Sequence, residues 1–93
     1  MDKVKIDKME FRADCVPVFG VNVLMIQGSR GMLGCGYLNL ATAEKLGHAL
    51  AIVSGVSCYD DMLKAEVKGV SAAAAELGVT AGMTGAEALK KFF

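Results

Sequence analysis

The sequence predicts an α+β fold: a mixed β-sheet around a central apolar hairpin, helices packed on it, and a mainly helical C-terminal half. Three observations predict it. Apolar and charged residues alternate with period two near the start of the chain. Two apolar runs, over Val21–Gln27 and 32–40, flank a loop containing two glycines. From Asp60 onward the apolar spacing becomes helical and is punctuated by capping residues. A chain of 93 residues is expected to form one domain, over 1–93.

The first alternation carries Val4 and Ile6, then shifts phase so that Met9 and Phe11 take the apolar positions. Such a slip predicts a bulge, or two short strands around a turn at Asp7-Lys8. Pro17 has no N–H to give a ladder and predicts a strand end or an edge. Gly28-Ser29-Arg30-Gly31 has hairpin length and glycines suited to positive φ. The run over 32–40 is apolar nearly throughout, which marks a central strand covered on both faces. On that run Gly34 and Gly36 share a side, leaving a bare patch where a helix, a ligand or another backbone can approach closely.

A short helix is expected over 41–46, ended by Gly47, then a buried strand over 49–53. The loop Ser54-Gly55-Val56-Ser57 leads to a helical turn over 60–65 and a longer helix over 67–77. In that longer helix Val67, Val70, Ala74 and Leu77 form one stripe. Gly78 stands where a C′ glycine belongs, with Val79 placed to pack back. Thr84-Gly85-Ala86-Glu87 is a capping-box sequence opening the last helix, whose C-terminal end suits Lys90 and Lys91.

Composition narrows the function classes. Ten basic and ten acidic residues give zero net charge, and the signs are mixed along the chain. No basic face is expected, so nucleic acid and anionic membrane are excluded as partners. The run over 15–26 is too short and interrupted to span a bilayer, and the opening residues lead into no signal-peptide core. Three cysteines without regular spacing make no disulfide framework, which places the chain in a reducing cytoplasm. Hydrophobic residues make up 54% of the chain, beside eleven glycines. That is more than a core of this size hides, and it predicts a homo-oligomer, most simply a twofold dimer.

Three features invite chemistry. Cys35, between Gly34 and Gly36, is a candidate nucleophile if its thiol is accessible and activated, and a small buried hydrophobe otherwise. The loop over 54–57, with Ser54, Gly55, Ser57 and then Asp60, lies at a strand-to-helix junction. It suits a small anion, or Ser57 is an N-cap with Asp60 completing a capping box. Cys35, His48 and Cys58 are spaced unlike any zinc module, so no metal and no cofactor are expected. Met25, Met32, Met62 and Met83 read as core or interface filler.

From about Leu24 to Leu89 the chain resembles the YunC-like proteins, short prokaryotic proteins grouped as a domain of unknown function. The resemblance rests on Gly28-Ser29-Arg30-Gly31 with Cys35-Gly36-Tyr37-Leu38, and on Ala51-Ile52-Val53-Ser54-Gly55-Val56 with Asp60-Asp61-Met62-Leu63. A third segment is Ala75-Glu76-Leu77-Gly78-Val79 with Gly82-Met83-Thr84-Gly85-Ala86-Glu87-Ala88-Leu89. The family commonly has Asp where this chain has Asn39. A helix cap there works equally well with Asn, whereas an Asp-dependent mechanism does not. The resemblance implies no activity. The residues favour a homo-oligomeric binding or regulatory module. The alternative is a small-molecule enzyme with Cys35 as reactive thiol and Gly34, Gly36, Asn39 and the 54–57 loop as its binding site.

Overall fold

A computed structural model describes residues 2–93. Six strands form one sheet in sequence order: β1 (Asp2–Ile6), β2 (Met9–Val18), β3 (Val21–Gln27), β4 (Met32–Gly34), β5 (Leu50–Ile52) and β6 (Gly69–Val70). All neighbours run antiparallel except β4 and β5, which are parallel and joined through helix α1 (Leu40–Leu46). The other helices are α2 (Tyr59–Lys64), α3 (Ala72–Glu76) and α4 (Gly85–Phe92). The sheet is mixed and the fold α+β, as the residue patterns predict.

Residues paired across strands share a face, so the register sorts the chain into two sides. Val4, Phe11, Ala13, Leu24, Ile26, Leu33 and Ala51 point to one side and are buried. They form a single core with Met62 of α2, Ala74 of α3 and Ala88, Leu89 and Phe92 of α4. The other side carries α1 over β4, β5 and β6. There the Leu38 side chain occupies the space a Cβ on Gly34 would need, and Leu40 lies over Gly69. The bare side at Gly34 is therefore filled by the chain's own crossover.

Local chemistry accounts for the element ends. The phase slip is a hairpin, with Asp7 at φ 55° in the turn between β1 and β2. Pro17 lies in β2 opposite Asn22, beyond the Asp2–Ala13 pair that ends the described pairing with β1. Helix α1 stops at Gly47, φ 73°, a left-handed cap. After α3 the Gly78 N–H reaches the Ala75 carbonyl and the Val79 N–H the Ala74 carbonyl, a complete Schellman motif with Val79 buried. The Thr84–Glu87 capping box is reciprocal.

Two expectations are corrected. The run over 32–40 is strand only over Met32–Gly34, because a parallel partner requires a crossover. The chain turns at once, with the Leu38 N–H donating to the Cys35 carbonyl at 3.1 Å. The helix expected over 67–77 is instead β6 followed by the five-residue α3. Strand β5 needs a partner on its free edge, and Lys68 and Ser71 donate to the Ile52 and Leu50 carbonyls. Gly69 disfavours a helix interior there, and Ser71 caps α3. The strand over 49–53 and the helix over 60–65 are present as Leu50–Ile52 and Tyr59–Lys64.

Candidate functional site

The parallel pair gives the molecule two ends. At the C-terminal ends of β4 and β5, Gly34, Cys35 and Gly36 face Ser54 and Gly55. The Val53 N–H donates to the Gly34 carbonyl at 2.9 Å, and a Cβ on Gly36 would stand 3.6 Å from that of Ser54. Cys35 is 5% exposed. It is bound twice to Leu24: its N–H donates to the Leu24 carbonyl at 3.1 Å, and its Sγ accepts the Leu24 N–H at 3.4 Å. The thiol is thus held in the sheet margin rather than presented to solvent. His48 lies beyond the other end. Leu50 is opposite Met32, so His48 and Cys35 are separated by about five residues of strand, on the order of 15 Å. No imidazole stands beside Cys35, and Cys35, His48 and Cys58 do not assemble.

Asn39 is the N-cap of α1, its Oδ1 accepting from Ala41 at 2.8 Å and Thr42 at 3.3 Å. A neutral amide performs that role fully. Ser57 is tied to Asp61 rather than Asp60: its N–H and Oγ both donate to Asp61 Oδ2 at 3.0 Å. Cys58, not Ser57, is the N-cap of α2, and it makes no side-chain cap bond. The capping box expected from Ser57 and Asp60 does not form: the N-cap is Cys58, and the carboxylate that Ser57 reaches is that of Asp61. These donors hold the Asp61 carboxyl below its ordinary range. Asn22 Nδ2 donates to the Ser57 carbonyl at 3.0 Å, pinning the loop to β3. Tyr59 continues this seam to β1, its hydroxyl donating to Asp2 Oδ2 at 2.7 Å. Loss of surrounding water and that carboxylate raise the Tyr59 phenol pKa. Of the expected residues, the structure gathers Gly34, Cys35, Gly36, Ser54 and Gly55. Asn39, Ser57 and Asp60 stand at the starts of α1 and α2.

The glycine loop before β4 has a structural task. The Arg30 N–H donates to the Phe92 carbonyl at 2.9 Å, the Arg30 Nη2 to the Lys91 carbonyl at 2.8 Å, and the Ser29 hydroxyl to the Phe93 carbonyl. Those are the carbonyls that the end of α4 leaves without helical partners. A side chain on Gly28 would collide with the Phe92 carbonyl, and one on Gly31 with the Phe92 ring.

Sequence reasoning missed two surfaces. The first is the side of β2 and β3 that α1 leaves open. Val16 pairs with Val23 and Val18 with Val21, so four valines share it, with Met25 next along β3. Val16 is 51% and Val21 52% exposed. At the hairpin tip Phe19 is wholly exposed and adopts φ 49° beside Gly20 at φ 82°. That backbone is costly for a bulky L-residue. The segment over 15–27 contains no charged residue at all, a signal open to sequence reading once the pairing is known. The second surface is a groove at the N-terminal ends of β4 and β5, bordered by Arg30, Met32 and His48. It depends on the parallel register, which no local pattern reveals.

Comparison with known proteins agrees with the fold and the motifs. Residues 34–92 match the model of a domain of unknown function, DUF1805. The chain is 32% identical to the uncharacterized protein YunC of Bacillus subtilis over 92 residues, which is 95% of this chain and 91% of that protein. It is similar in structure to TA1206, a protein of unknown function from Thermoplasma acidophilum. The TM-score is 0.93 at 32% identity, covering 99% of this chain and 90% of the other. With the Gly-Ser-Arg-Gly loop, the crossover after Cys35 and the Thr84 capping box all in place, the chain belongs to the DUF1805 family.

Proposed function

We propose that the protein is a homo-oligomeric, non-catalytic binding or regulatory module of the cytoplasm, most simply a twofold dimer joined through the open side of β2 and β3. The single observation that carries this reading is the valine patch of Val16, Val18, Val21 and Val23 with the exposed Phe19 at its tip. Depletion of charge at the centre of a contact surface is characteristic of protein interfaces, and here 15–27 is free of charge. A neutral apolar face has no electrostatic preference for a charged partner, and a second copy offers the same surface for an isologous contact. A dimer of standard size takes about 800 Å² from each partner. That is a modest share of the 5284 Å² this chain exposes. The left-handed Phe19 supports the same reading, since a bulky side chain held at such cost marks a functional constraint.

Other features fit a binding module. Among the described residues no helix is long and apolar enough to cross a membrane, and the cysteines are free thiols. The alternative of a Cys35-dependent enzyme has less support, because the sulfur is buried, bonded to Leu24 and distant from His48.

Sedimentation equilibrium of the native chain tests the proposal. Twice the 9.7 kDa chain mass is expected at micromolar concentration, and the double variant Val16→Lys/Val21→Lys is expected to be a folded monomer. A native chain that stays monomeric at 100-fold higher concentration overturns it.

A further inference from the structure

The groove at the N-terminal ends of the parallel strands has two chambers. One, of about 320 Å³, opens between the glycine loop and the end of α1, with Gln27, Arg30 and His48 on its walls. The other, of about 230 Å³, runs under α1 against Leu38, Leu46 and Leu50. Met32 and His48 border both, so the two adjoin across these side chains. The first chamber alone reaches the size at which small-molecule sites begin. Its charge is one-sided: neither chamber is walled by an Asp or Glu, although the chain has ten. Arg30 borders the first chamber; its Nη2 donates to the Lys91 carbonyl at 2.8 Å, which restrains the guanidinium and leaves further N–H donors for a ligand. The apolar chamber is unfinished, with Leu46 60% exposed at its rim.

We propose that this groove binds a small monocarboxylate with an apolar body. The carboxylate pairs with Arg30 beside His48 and Gln27, and the body lies across Met32 against Leu46 and Leu50. A planar guanidinium matches a carboxylate edge on, and one fixed cation balances one negative charge better than a dianionic phosphate. Burying the exposed part of Leu46 adds the apolar contribution. All of these groups belong to one chain, so the inference does not rest on the dimer.

The test is a titration of the ¹⁵N-labelled native chain with octanoate, octylamine, octyl phosphate and inorganic phosphate, followed by amide NMR. Octanoate is expected to move the Gly31, Gly47, His48 and Ala49 amides saturably, with a dissociation constant of about 1 mM or tighter. Arg30→Gln is expected to weaken it about tenfold. Because that change also removes the bond to Lys91, Leu46→Asp on an exposed position and the conservative Arg30→Lys are measured beside it. Leu46→Asp is expected to weaken octanoate about tenfold with the spectrum still native, and Arg30→Lys to retain part of the affinity. No saturable shift with octanoate, equal shifts with octylamine, tighter binding of either phosphate, or an unchanged affinity in Leu46→Asp each overturns the proposal.

Discussion

The two faces of one sheet contrast in how they are finished. On the inner face, Val4, Phe11, Ala13, Leu24, Ile26, Leu33 and Ala51 are at most 8% exposed, closed over by α2, α3 and α4. On the outer face, Leu50 of β5 and Ala43 of α1 are buried, and beyond α1 the valines of β2 and β3 stand open. The same strands, alternating residue by residue, feed both faces. Composition alone therefore cannot say where the surplus apolar residues lie; the face assignment does. The inner face is the protein's stability, and the open half of the outer face is surface left for something else.

The largest test of that division is at the inner face. Phe92→Ala removes a fully buried ring and is expected to cost about 3–5 kcal/mol in urea unfolding. That is a large share of what a domain of this size possesses. A cost under 1 kcal/mol would show the core to be loose and the contrast unfounded. Next is Ser71, where the faces meet. Its buried hydroxyl donates to the His48 carbonyl at 2.8 Å and accepts the N–H of Leu50 at 2.9 Å and of Ala74 at 3.3 Å. Ser71→Ala orphans these groups at an expected cost of about 1–3 kcal/mol, read from the same transition.

At the open face the sign reverses. In the Val16→Lys/Val21→Lys background, Phe19→Asn is expected to stabilise the chain by about 1 kcal/mol, because Asn tolerates the left-handed turn better than Phe. In the otherwise native chain the same change is expected to weaken self-association in sedimentation. Stabilisation without weakened association would separate the strained turn from the interface. The smallest effect is with pH. Asp61 and Glu87 are both held below their ordinary carboxylate range, chiefly by the backbone N–H of Ser57 and of Thr84. Their stabilisation is full above the unfolded-state values near 4 and fades as pH falls from there through the lowered folded values. Glu87→Gln is expected to flatten the acid limb of the melting-temperature profile; an unchanged profile would remove Glu87 from it.

Legibility in the sequence followed the range of the interaction. The Gly47 and Gly78 helix ends and the Thr84 box are written within a few residues, and the residues predict them; at Asp7-Lys8 they leave a bulge or a hairpin open, and the pairing of β1 with β2 decides for the hairpin. The strand assigned to 32–40 and the helix assigned to 67–77 fail for the opposite reason. Each is decided by a distant partner, β5 in both cases, which recruits Gly34 in parallel and Gly69 in antiparallel register. The candidate site divides in the same way. Asn39 as a cap is local and readable, whereas the separation of Cys35 from His48 follows from the parallel register. The groove around Arg30 and His48 was hidden by that same register.

The loop that holds the end of α4 also bears on the order in which the molecule assembles. Ser29 and Arg30 reach partners 64 and 61 residues away, so their bonds close a loop of about two thirds of the chain. Closing so long a loop is entropically costly until the intervening sheet exists. Helix α4 is thus expected to seat after the hairpin has formed. Detaching this clasp leaves the sheet intact, so the amides at the end of the helix are expected to exchange by local opening before the fold as a whole unfolds, reporting on release of α4.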